Sequence, residues 1–182
     1  ANGALVLFLL AVSIFIWVVS YLLEIMGTDL ETKYLCGVIQ YIGFAYAPYI
    51  WLIFSIVYSD HAKIISRRFI ILTALIPTIT VLLAFTTKWH GLIWSEYHID
   101  RQGDFSALGV SHGPWFWVHF AYSYILLLIA TILLARALWR RQGMYRGQIV
   151  AILIAVLAHW IGNALYLTGN SPIPYLDLTP FS

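Results

Sequence analysis

Charged residues are scarce in this sequence. They make up 10% of its 182 residues, against 62% hydrophobic ones, whereas soluble domains carry about 25% charged residues. A water-soluble globule is therefore excluded. The single cysteine, Cys36, rules out an intramolecular disulfide and lacks the partners of a zinc site; it reads as a small apolar packing residue. No P-loop, HExxH pair, nucleophile elbow or kinase signature occurs, so the stretch carries no catalytic apparatus. A net charge of +2 says little by itself, and the sequence pI of 8.7 does not indicate nucleic-acid binding. No lysine lies deep in an apolar run, which speaks against a retinal Schiff base. The first apolar run is too long for the core of a cleavable signal peptide, and no basic segment precedes it.

Long apolar runs are present instead. The clearest, Gly113–Arg141, opens with an aromatic cluster (Trp115, Phe116, Trp117, Phe120, Tyr122, Tyr124), continues as aliphatic residues and closes on Arg136, Arg140 and Arg141. A helix needs about 20 apolar residues to cross a bilayer core. Aromatic rings collect at the lipid–water boundary, and Lys/Arg mark the cytoplasmic end. Runs of spanning length occur at Ala4–Met26, Tyr34–Tyr58, Phe69–Thr87, Trp115–Leu138 and Gln148–Leu167. The expected fold is an all-α integral membrane bundle of five spans, a single domain with one polar external loop, Ser95–Gly113.

Sidedness follows from the basic residues. Lys63, Arg67, Arg68, Arg136, Arg140, Arg141 and Arg146 lie between spans on one side, and only Lys33, Lys88 and Arg101 on the other. The positive-inside rule then places residue 1 in the cytoplasm and residue 182 outside a cell membrane. Thr179 and Pro180 have the form of a helix N-cap and first turn, so a further helix is expected to start there.

Polar residues fall into stripes at helical spacing. Ser13, Trp17, Ser20, Tyr21 and Glu24 share one face of the first span; Gln40, Gly43, Phe44 and Ala47 share one of the second, where small residues allow close approach. Pro48 and Pro77 are expected to kink their helices, with Thr73, Thr78 and Thr80 hydroxyls bonding the carbonyls that Pro77 frees. His159, Asn163, Tyr166 and Asn170 line the fifth span.

Three motifs occur in one order: Trp89-His90-Gly91-Leu92-Ile93-Trp94, then Gly113-Pro114-Trp115-Phe116-Trp117-Val118-His119 followed by Ala121-Tyr122-Ser123-Tyr124, then Pro172-Ile173-Pro174-Tyr175-Leu176-Asp177-Leu178-Thr179-Pro180. In this combination the chain resembles the N-terminal seven-transmembrane sensor region of prokaryotic histidine kinases, also found ahead of diguanylate cyclase and PAS modules. Against that pattern the first span and most of the seventh are expected to be missing, leaving a truncated seven-helix bundle. The resemblance implies a sensory input domain with a cytoplasmic signalling module in cis, working as a homodimer. It supplies neither ligand nor catalytic residue.

An ionisable group inside a membrane segment is by default a functional-site hypothesis. Glu24, Gln40, His119, His159 and Asn163 fall in the outer half of the bundle and are expected to line an outward-facing pocket for an unidentified small ligand, with Trp115 and Tyr122 among its walls. The bland reading of each is interhelical glue, at about 0.6 kcal/mol per bond, and Glu24 can simply be exposed among headgroups. His119 and His159 also raise bis-histidine haem ligation in a redox or transport protein; a second histidine pair is absent, no cofactor is expected, and the inner halves of the spans offer no polar route. His90, His98 and His112 beside the external loops read either as a pH sensor or as solvated residues, and the turn Trp89–Trp94 as an interfacial anchor.

Overall fold

A computed structural model describes residues 2–59, 61–102 and 105–140, with 147, 150, 151, 154, 157, 158 and 161. Four helices are long and apolar enough to span a bilayer: α1 (Asn2–Met26), α2 (Leu30–Tyr58), α3 (Arg67–Phe85) and α5 (Pro114–Arg140). Short α4 (Thr87–His90) follows α3. These are four of the five expected spans; most of Gln148–Leu167, and everything beyond it, lies outside the described residues.

Local chemistry sets the helix starts. Asp29 caps α2, its side chain accepting from the Thr32 amide at 2.8 Å. That bond holds the Asp29 carboxyl below its ordinary value. A lowered carboxylate pKa stabilises above the unfolded value and is lost in acid, so this cap is made at neutral pH. Ser66 caps α3 in the same way, accepting from Phe69 at 3.1 Å.

α2 packs against α1, α3 and α5. The stripe expected on the first span is buried as a unit: Ser13, Trp17, Ser20, Tyr21 and Glu24 are all inside. The opposite side of α1 exposes Leu5, Phe8, Phe15 and Leu22, an apolar face suited to acyl chains. Gly43 lets the two backbones meet. A Cβ there would run into the Ser13 carbonyl oxygen and the Trp17 nitrogen, and the Ser13 hydroxyl donates to the Gly43 carbonyl at 2.8 Å.

The segment expected as a polar loop is a β-hairpin. β1 (Trp94–Gln102) pairs antiparallel with β2 (Phe105–His112), in a register that sets His98 against Gly109 and Ile99 against Leu108, with a bulge between Trp94 and Glu96. The fold is thus mostly helical rather than all-α. A lone two-stranded hairpin is marginal in water; this one is held by docking. Trp94 is buried, and Tyr97, Leu108 and Val110 pack with it against Tyr34, Val38, Tyr41 and Ile93. Gly37 leaves a notch for the Trp94 indole, since a Cβ there would come within 2.8 Å of its ring. The hairpin covers the end of the bundle where α1 ends and α2 and α5 begin; Lys63, Arg67, Arg68 and Arg136 gather toward the opposite end.

Candidate sensory site

The expected site residues on described segments separate into two groups. At the hairpin end, Glu24 on α1 is buried, with 5% exposure, which overturns the reading that leaves it among headgroups. One carboxylate oxygen accepts from the Gln40 amide at 2.6 Å, the other from the Leu108 backbone N–H at 2.9 Å. Lys33, expected at an outer end between spans, lies within α2 with no exposed surface. Its ammonium donates to the backbone carbonyls of Glu24 at 2.7 Å and Ser106 at 2.5 Å. Glu24 and Lys33 thus grip β2 through its backbone. Buried charges persist only where such partners surround them.

The second group joins α3 to α5. His119 is 1% exposed. Its Nδ1 lies 3.2 Å from the Thr80 hydroxyl, and its Nε2 is 3.2 Å from the Ser123 hydroxyl. The Thr80 hydroxyl donates to the Ile76 carbonyl at 2.8 Å and accepts from the Trp115 indole N–H at 2.9 Å. With its one hydrogen spent on Ile76, Thr80 can only accept from His119. Nδ1 then carries the hydrogen, and in the neutral imidazole Nε2 accepts from the Ser123 hydroxyl. Phe44 covers the ring at a centroid separation of 5.4 Å.

Tyr122 bridges α5 to α3. Its hydroxyl donates to the Thr73 carbonyl, the acceptor that Pro77, four residues on, leaves without its helical donor. This corrects the expectation for the threonines. Thr73, Thr78 and Thr80 bond the carbonyls of Phe69, Ala74 and Ile76, and the freed one is closed from across the interface by α5.

His159 and Asn163 lie outside the described residues, so the facing of His119 and His159 is not among the contacts seen. Both nitrogens of His119 lie within hydrogen-bond distance of hydroxyls. Among the described residues no group of three His, Cys, Asp or Glu side chains comes together to hold a metal. The residues that sequence reasoning passed over are Lys33 and Ser123. Ser123 had a usable signal, since it stands one helical turn after His119. Lys33 had a weaker one: a buried Glu24 requires a compensating donor nearby.

A bundle of apolar helices with internal polar bonds and a docked hairpin at one end defines a multi-pass membrane protein. The chain belongs to the family described as the N-terminal 7TM region of histidine kinase, whose model matches residues 1–182. No curated protein and no solved structure matches it. The family makes it the membrane-embedded sensory input region of a histidine kinase rather than its catalytic part.

Proposed function

We propose that this domain reads a small ligand, or a state of the membrane, at the hairpin end of the bundle, and passes the result to a cytoplasmic kinase module in cis through the relative placement of α3 and α5. The full bundle is a seven-helix sensor in the cell membrane. Its hairpin lies outside, its basic loops inside, and it works as a homodimer. Glu24, Gln40, Trp115, His119 and Tyr122, with His159 and Asn163 of the fifth span, are the ligand-facing set.

One observation carries this reading. α3 and α5 are joined by side-chain hydrogen bonds centred on His119. Such bonds can be exchanged for bonds to a ligand, whereas close-packed backbones cannot. A ligand shifts a two-state bundle only through a difference in affinity for the two states. Bonds of about 0.6 kcal/mol are weak enough to be exchanged in this way. Losing both bonds of His119 moves an equilibrium by about 1.2 kcal/mol, roughly eightfold.

The test uses the full-length kinase in liposomes. His119→Ala combined with Asn163→Ala should change basal autophosphorylation several-fold and blunt the response of a cellular reporter, while insertion stays normal. Unchanged output in both assays would count against this site.

A further inference from the structure

Of the three histidines at the hairpin end, only His90 bonds the backbone through a ring nitrogen that must carry no proton. The Leu92 amide donates to His90 Nδ1 at 3.0 Å. A backbone N–H has no acceptor role, so Nδ1 must present a lone pair. Nε2 then holds the ring hydrogen and donates to the Thr86 hydroxyl at 2.9 Å, while that hydroxyl donates to the Leu82 carbonyl at 2.9 Å. The imidazolium form donates at both nitrogens. It would set N–H against N–H at Leu92, and the turn would lose its bond. His90 is exposed, so protons reach it directly.

The turn also holds its neighbours. Gly91 adopts the left-handed conformation at φ +65° and its amide donates to Thr87 at 2.8 Å. The Leu92 carbonyl accepts from the Trp115 amide at 2.9 Å and the Ile93 carbonyl from Gly113 at 2.8 Å. The Trp94 amide donates to the Thr87 hydroxyl at 3.1 Å. The joint therefore carries the first residue of β1 and the first turn of α5, including the Trp115 that bonds Thr80.

We propose that the Trp89–Trp94 turn is an acid-labile joint: protonation of His90 breaks the bond to Leu92 and loosens the start of β1 and of α5. The titratable groups on the elements meeting here are Lys88 on α4, Glu96 and His98 on β1, and His112 at the end of β2. Lys88 holds its ammonium 4.3 Å above the Tyr34 ring. Glu96 is exposed, and His98 faces Asp100 at 3.7 Å. His112 stacks on Phe116 at 3.7 Å. Among the described residues none of them forms an ion pair with His90.

The joint stands on its own geometry; that its opening serves as an input rests on the sensor reading above. The test is amide hydrogen exchange of the 91–95 segment in the full-length protein in nanodiscs. It is run at about pH 7.5 and about pH 5, and corrected for intrinsic exchange. Wild type should lose at least about tenfold in protection on acidification. His90→Asn, whose side-chain oxygen offers an acceptor to the amide two residues on, should stay protected at both values. His90→Ala should be open at both. Protection in wild type that ignores pH overturns the proposal, and so does acid opening of His90→Asn equal to wild type. Kinase output measured in parallel separates the two claims. Exchange that switches while output stays flat upholds the joint and sinks its role as an input.

Discussion

The α1–α2 pair and the α3–α5 pair differ in what dominates their contact. α1 and α2 meet backbone to backbone at Gly43, with buried aromatics on either side and one side-chain pair, Gln40 to Glu24, at the hairpin end. α3 and α5 meet through side chains: Thr80, His119, Ser123 and Trp115 in one cluster, Tyr122 and Thr73 in another. The first kind of contact has a single close-packed arrangement. The second is a set of weak bonds whose partners can be replaced. A membrane sensor needs both, a fixed frame and a part that moves against it; under the function proposed above, α1–α2 is the frame and α3–α5 the moving part.

The largest expected effect breaks the frame. Gly43→Leu drives a side chain into the backbone of α1 and should cost about 3 kcal/mol by overpacking. Unfolding in mixed micelles would show it, and a tolerated leucine would remove the frame from the comparison. Next comes the grip on the hairpin. Glu24→Ala leaves the Leu108 amide and the Gln40 amide without their shared acceptor and should cost about 2 kcal/mol. It should raise protease sensitivity within β1 and β2 while leaving α3 and α5 in register. The smallest effect sharpens the moving part: Tyr122→Phe uncaps the Thr73 carbonyl for about 1 kcal/mol. Stability should fall slightly and output change measurably; a stability loss as large as that of Gly43→Leu would contradict the division.

Much of the frame is legible in the sequence, because helical period and lipid chemistry act locally. Four spans stand where the apolar runs lie, and the Ser13–Glu24 stripe is buried as its spacing requires. The hairpin is not legible in the same way. Tyr97, Ile99, Leu108 and Val110 alternate as strand residues do, yet two short strands hold together only once Trp94 has the Gly37 notch to enter. That is a property of distant chain. Lys33 is hidden for the same reason, since a lysine near a span end ordinarily reaches water unless a strand closes over it. His119 is conspicuous as an ionisable residue in an apolar run, but its partner Thr80 has an obvious local role beside Pro77, and only the packing of α5 on α3 reveals the other.

The most direct test is a pair of spin-label distances in the full-length protein, in a Cys36→Ala background. One pair sits on the exposed Leu72 of α3 and Ile132 of α5, the other on the exposed Phe15 of α1 and Leu35 of α2. His119→Ala should shift or broaden the α3–α5 distance and leave the α1–α2 distance unchanged. An α3–α5 distance that ignores the substitution, or an equal change in both pairs, would contradict the account.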